Sequence, residues 1–344
     1  MKAVRFHEHG GIDVLKYEDA PKPEIAANEV LVQVAACALN HLDIWLRKGT
    51  ASWKLSMPHI AGSDISGEVA AVGSLVRRVK PGDRVLLSPG ISCGKCEQCF
   101  DGLDSACRSY TLFGVMVDGG YADYVKSPEA NAIPIPGDLS FDEAAAVPLV
   151  SVTAWHMLMT RAQLRPGEDV LVIAAGSGVG SVAIQIAKLM SARVIAVAGT
   201  DAKLAKARDL GADEVINHRR QSIAGEVRRL TNKRGVDVIV DHVGTAVWED
   251  CFESLATYGR FVTCGTTSGE DAKLNLRILY GRQHTLLGSF MGGKGELLEV
   301  LKFVGQRKVR AVIDSVFPLS EAAAAQKKME DRDLFGKIIL HPGQ

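Results

Sequence analysis

Residues 169–180 read DVLVIAAGSGVG, and the helical-looking VGSVAIQIAKLM carries on from Val179 to Met190. A short apolar run that stops in glycines and leads straight into a helix is a strand–turn–helix unit. Downstream the pattern repeats. RVIAVA (193–198) precedes the helix-like DAKLAKARDLG (201–211), and DEVIN (213–217) precedes EVRRLTN (226–232). VDVIVD (236–241) precedes a stretch read as helix from Ala246 to Tyr258, before GRFVTCG (259–265) and TLLGSF (285–290). Apolar strands alternating with helices of about 10 to 15 residues predict a parallel doubly wound sheet of six strands.

The residues on either side have another character. EVLVQVAACAL (29–39), ISGEVAAVG (65–73) and DRVLLSP (83–89) are β-rich runs, separated by turn signals such as Lys80-Pro81-Gly82-Asp83. This is the pattern of a small irregular β-barrel. From Gly292 the mixed character returns: a helix over 296–304, the β-like AVIDSVFPL (311–319), an Ala-rich helix and a last strand, GKIIL (336–340). Since the parallel series already has its strands, this tail is expected to rejoin the N-terminal domain. The expected organisation is α/β, with one domain from 1–150 plus 292–344 and a second from 151–291.

Composition bounds the function. The 344 residues are 47% hydrophobic and 23% charged, as in soluble globular proteins. Forty Lys+Arg balance forty Asp+Glu, so no basic excess points to nucleic acid or a membrane surface. No apolar run approaches the roughly 18 residues of a membrane span. The opening MKAVRFHEHGG lacks the apolar core of a signal peptide. A cytoplasmic protein with a small-molecule substrate is expected.

In the loop Ala174-Ala175-Gly176-Ser177-Gly178-Val179-Gly180, glycines let the backbone approach a pyrophosphate, and the helix start supplies N–H donors. The strict GxGxxG is not kept, because Ala175 and Ser177 hold its first and third places. The strand before and the βα units after favour dinucleotide binding over a plain tight turn. Cofactor choice is read at the end of the next strand. An NAD site tends to carry an acid there for the ribose 2′-hydroxyl. Here the strand ends in Ala198, followed by Gly199, Thr200, Asp201 and Lys203. Nothing at Ala198 repels a 2′-phosphate, Thr200 can donate to it and Lys203 can pair with it. Asp201 weighs against this but also fits as a helix N-cap. NADPH is expected over NADH.

Four of the seven cysteines stand in CGKCEQCFDGLDSAC (93–107), spaced C-x2-C-x2-C-x7-C. Cys93, Cys96, Cys99 and Cys107 can enclose one tetrahedral zinc with no open position, which is a structural site. Disulfides and an iron–sulfur cluster are the rival readings, disfavoured by a reducing compartment and by the spacing. Cys37, Cys251 and Cys264 sit in strand-like apolar surroundings and are expected to be buried thiols.

Together these features resemble the medium-chain dehydrogenases/reductases, the superfamily of zinc-containing alcohol dehydrogenases and quinone oxidoreductases. The landmarks are MKAVRFHEHGG, PHIAGSDISGEVAAVG (58–73), KPGDRV (80–85), the four-cysteine lobe, AAAVPLVSVTAW (144–155), AAGSGVG and the closing FGKIIL (335–340). The resemblance spans essentially the whole chain. It implies a GroES-like β-barrel domain, an inserted Rossmann domain, an active-site cleft where they meet, and a homodimer or homotetramer formed through the cofactor domains. It also implies that Pro148, Thr153, Ser177, Gly178, Val179, Gly199, Thr200 and Lys203 line the cofactor. His218 falls where NADPH-dependent members carry a phosphate-contacting tyrosine.

The chain departs from the alcohol dehydrogenases at their catalytic zinc. The three ligand positions fall on Asn40, Ser63 and Leu149, none a normal zinc ligand, and the proton-relay positions become Leu42 and Trp45. ALNHLDIWLRKG (38–49) resembles instead the quinone oxidoreductases, which place asparagine at the Asn40 position and use no metal there. The implied activity is hydride transfer from NADPH to a quinone, enone or alkenal. Asn40, Asp43 and Ser63 are the candidate catalytic residues, and Trp45 and Trp53 are a candidate aromatic wall. The rivals are an alcohol dehydrogenase with a displaced metal site at His41, Asp43, His59 and Asp64, and a non-catalytic NADPH-binding protein.

Overall fold

The computed structural model describes residues 1–50 and 53–343. Two units emerge: Met1–Leu149 with Gly293–Gln344, and Val150–Gly292. Among the described residues no helix is long and apolar enough to cross a membrane.

The first unit is built on a seven-stranded sheet. Its central strand, Glu29–Ala38, is the apolar EVLVQVAACA, and it is flanked on one side by Asp64–Val72 and then Arg84–Leu87 and Ala132–Pro134. On its other side lies Lys337–His341, followed by Ile313–Pro318. Tyr124–Pro128 also pairs with the central strand, over Glu29–Gln33, while Lys337–His341 pairs with Cys37 and Ala38, so one strand serves three neighbours. The pairings that matter for chemistry are at its end. Ala38 faces Asp64 in one ladder and Ile339 in the other, and the Leu39 N–H donates to the Ile338 carbonyl at 2.9 Å. Antiparallel counting then sets position 40 against position 337. Ala36, Ala38, Ala145, Ala146 and Ile339 form one buried cluster, in which the four alanines let the Phe141–Ala146 helix lie close on the sheet.

The second unit is a six-stranded parallel sheet in the order Glu214–Asn217, Arg193–Ala198, Asp169–Val172, Val236–Asp241, Leu255–Thr263, Thr285–Gly288. The order reverses beside Asp169–Val172, the switch point at which this Rossmann-type architecture takes dinucleotides. Leu171, Ile195, Val197, Ile239 and Phe261 are all buried, as strands covered on both faces require. The stretch read as helix from Ala246 to Tyr258 is corrected. Its helix runs only from Trp248 to Ser254, and the chain is already a strand at Leu255. Pairing of Leu255 with Val236, and the left-handed turn at Tyr258 (φ 64°), override the local helical composition. Cys251 accordingly lies on a helix, although it is buried as expected.

Candidate functional site

In the second unit the glycine loop enters a 12-residue helix, Gly178–Leu189. Ser177 is its N-cap, and its hydroxyl accepts the Gly180 N–H at 2.9 Å. The Gly178 and Val179 amides open the helix, where an N–H has no intrahelical acceptor and the helix dipole favours an anion. Gly180 is the glycine that geometry demands, because a Cβ there would lie 2.5 Å from the Ala174 carbonyl oxygen. This turn fits a pyrophosphate. Thr153 lies in the helix Pro148–Trp155, buried, with its hydroxyl 3.9 Å from the Met291 sulfur.

At the end of the next strand the parallel register sets Ala198 beside Asn217. A Cβ on Gly199 would meet His218 Nε2 at 3.0 Å and Arg219 Nε at 3.1 Å, so both exposed side chains lie across that glycine. Thr200, rather than Asp201, is the N-cap: its Oγ1 accepts the Lys203 N–H at 3.3 Å. The Asp201 carboxylate accepts from Asn217 Nδ2 (2.7 Å) and pairs with Arg220 (2.8 Å), which offsets its charge. Arg219 was missed in the sequence. It follows His218 directly, but only the strand pairing shows that it reaches Gly199.

In the first unit the four cysteines of the lobe bring their sulfurs within 4.8 Å of one another. Cys96 and Cys99 are 3.5 Å apart and Cys93 and Cys99 3.9 Å, close to the edge of about 3.8 Å that Zn–S bonds of about 2.3 Å generate in a tetrahedron. No disulfide joins any of the seven cysteines in this structure. The set fits a closed zinc site. The lobe is tied to the returning chain through Asp104, whose carboxylate accepts from Lys294 N (2.7 Å) and Ser92 Oγ (2.9 Å).

The residues at the three zinc-ligand positions are all engaged in other contacts. Asn40 caps the helix His41–Lys48. Its Nδ2 donates to Asp64 Oδ2 at 2.9 Å, and its Oδ1 accepts from Lys337 Nζ at 2.6 Å. Ser63 is fully buried and its hydroxyl donates to the Phe113 carbonyl at 2.6 Å, which uses the one proton expected for a substrate. Leu149 contributes only its backbone N–H, to Asp64 Oδ1 at 2.7 Å. Asp43 has no exposed surface. Its Oδ2 accepts from the Asn40 N–H (2.8 Å) and the Tyr121 hydroxyl (2.9 Å), so it holds the turn that carries Asn40. Among the described residues Asp43 Oδ1 has no donor, and burial pushes this carboxyl up to about 6 despite the two hydrogen bonds that oppose the shift.

The displaced metal site does not assemble. His59 is buried against the Gly114 carbonyl at 2.9 Å, and His41 packs edge-on against Trp45 with ring centroids 5.2 Å apart. Asp64 pairs with Lys337 at 2.9 Å. Among the described residues only the four cysteines form a group of ligand type and spacing.

Comparison with known proteins bears on this arrangement. A family model described as an alcohol dehydrogenase GroES-like domain matches residues 26–137, and one described as a zinc-binding dehydrogenase matches residues 178–306. An NAD-dependent alcohol dehydrogenase of Sulfolobus acidocaldarius is 34% identical over 350 residues, covering 99% of both chains. The chain belongs to the medium-chain dehydrogenase/reductase superfamily. Within that superfamily a quinone oxidoreductase of Rattus norvegicus is 30% identical, covering 99% of this chain and 97% of its own. A solved structure of an NAD-dependent alcohol dehydrogenase matches with a TM-score of 0.97 at 47% identity, each chain covered in full. A medium-chain relative of this kind is an NAD(P)-dependent oxidoreductase, with a GroES-like domain and a Rossmann-like parallel sheet.

Proposed function

We propose that this chain is an NADPH-dependent reductase of activated carbonyl compounds (quinones, enones or alkenals) that works without a catalytic zinc. The observation that carries the reading is the cluster at Asn40. Of the three ligand positions, one is an amide held by Lys337 and Asp64, one a hydroxyl donating to a backbone carbonyl, and one an aliphatic side chain. None is a Cys, His or carboxylate ligand of the kind zinc takes. NADPH, when bound, would supply the hydride and solvent the proton, leaving NADP⁺ and the reduced acceptor. Asn40 supplies an N–H donor for the substrate oxygen on which negative charge develops. A simple alkoxide would want the several kcal/mol that a Lewis acid gives, whereas a conjugated acceptor spreads the incoming charge itself.

The preference for NADPH is supported by Ala198, which leaves no carboxylate for a ribose 2′-hydroxyl, and by Arg219, His218 and Lys203 around Gly199 and Thr200. The cysteine lobe is assigned one structural zinc. A homodimer or homotetramer through the second unit is supported by the edge strand Thr285–Gly288 and its exposed neighbours Leu276 (65%) and Tyr280 (72%). The relatives named as NAD-dependent alcohol dehydrogenases favour a second reading, alcohol oxidation.

The deciding experiment is a screen of zinc-quantified enzyme with NADPH and NADH against quinones, enones and alkenals, with primary alcohol oxidation in parallel. Fast NADPH oxidation by conjugated acceptors with one zinc per chain is expected. Two zincs per chain, with alcohol oxidation lost on chelation and restored by zinc, would establish the second reading. NADPH binding without turnover of any acceptor would mark a non-catalytic protein.

A further inference from the structure

The closing FGKIIL motif places a cation, Lys337, against the Asn40 amide. Lys337 is 3% exposed, Asp64 0% and Asn40 8%, and they come from three adjacent strands of the first unit's sheet: Asp64 opens Asp64–Val72, Asn40 follows Glu29–Ala38 and Lys337 opens Lys337–His341. Lys337 Nζ donates to Asn40 Oδ1 at 2.6 Å and to Asp64 Oδ2 at 2.9 Å, while Asn40 Nδ2 donates to the same Asp64 oxygen at 2.9 Å. An ammonium has only donors and an ionised carboxylate only acceptors. The amide therefore has one satisfied orientation. Turning it over would set NH2 against NH3⁺ and C=O against COO⁻ in a site almost closed to water.

We propose that Lys337 is a positioning residue for the reduction: it fixes Asn40 as a donor and polarises its amide, so that the second Nδ2–H meets the substrate oxygen as charge builds there. The inference rests on the proposed reduction, in which Asn40 meets that oxygen. A cation bound at Oδ1 draws electron density from the amide nitrogen and strengthens its remaining N–H as a donor. The Asp64 carboxylate balances the cation, and Leu149 N–H balances the carboxylate's other oxygen, so the device is neutral as a whole. A preset dipole of this kind needs no reorganisation as the reaction proceeds.

The test is a double-mutant cycle read in kcat, KM and thermal stability, with cyclohexenone and 1,4-benzoquinone as acceptors and NADPH as donor. K337M and N40A are each expected to lower kcat by roughly tenfold or more, with NADPH affinity kept. Because Lys337 acts through Asn40, N40A/K337M should be no slower than the slower single variant. K337M leaves Asp64 unpaired and destabilises the fold, so K337M/D64N is the companion variant. It should regain melting temperature while kcat stays low. Multiplying losses in N40A/K337M, or recovery of kcat together with stability in K337M/D64N, would show that Lys337 is only structural. A wild-type enzyme that reduces neither acceptor would overturn the proposed function itself, and this inference with it.

Discussion

At the scale of single residues, burial and charge decide what each side chain can do. Asp43 shows this most clearly. Its carboxyl, raised from an ordinary 3.8 to about 6 mainly by burial, holds a proton more tightly in the folded chain than in the unfolded one. Its contribution to stability is then full below about pH 4 and is lost as pH rises through about 6, a change of about 3 kcal/mol for a shift of this size. Asp43→Asn keeps an oxygen for the Asn40 N–H and the Tyr121 hydroxyl but cannot ionise. The stability of the variant relative to wild type should therefore climb between pH 4 and pH 7.5. Parallel denaturation curves at both pH values would contradict this. The proposed 2′-phosphate contacts are a second residue-scale case. Lys203→Ala and Arg219→Ala should each weaken NADPH by roughly 1.5 to 3 kcal/mol, about tenfold or more, and leave NADH nearly unchanged. Equal losses for both cofactors in a fluorescence titration would remove these residues from the 2′-phosphate.

At the scale of elements, the cysteine lobe and the glycine loop behave differently because one is local in sequence and the other draws on its neighbours. The lobe closes within 93–107, so its spacing alone marked out the four thiols that the fold brings within 4.8 Å of one another. Cys107→Ser should release the metal and loosen the lobe, since structural zinc carries on the order of 10 kcal/mol coupled to folding. Zinc release should then free the Asp104 contact to Lys294, read as faster amide exchange in the helix Lys294–Gly305. Unchanged zinc content by elemental analysis would sink the assignment. The glycine loop was legible as a strand–turn–helix. The placement of Arg219 across Gly199 was not, because it depends on the parallel register that brings Asn217 beside Ala198. The helix Trp248–Ser254 was overextended in the sequence reading for a related reason: Leu255 is recruited by the neighbouring strand at Val236.

At the scale of the whole molecule, the last strand closes the sheet that the N-terminal segment begins. Lys337–His341 lies between Glu29–Ala38 and Ile313–Pro318, so a chain ended after Asp331 loses a central strand together with Lys337. Such a truncation should unfold the first unit, seen as lost β-signal in circular dichroism and rapid proteolysis. A truncated chain that melts like the full one would refute this. The sequence by itself determined the alternating α/β series, the glycine turn, the metal lobe and the absence of ordinary zinc ligands at Asn40, Ser63 and Leu149. Each of these is written in composition, periodicity or spacing over a few residues, where local propensity and ligand chemistry act. The junction of Asn40, Asp64 and Lys337 was decided only by the tertiary structure. Those residues lie far apart along the chain, and no local pattern encodes which strands pair. Burying the apolar faces of Glu29–Ala38 and Lys337–His341 in one register is what brings a cation, a carboxylate and an amide together.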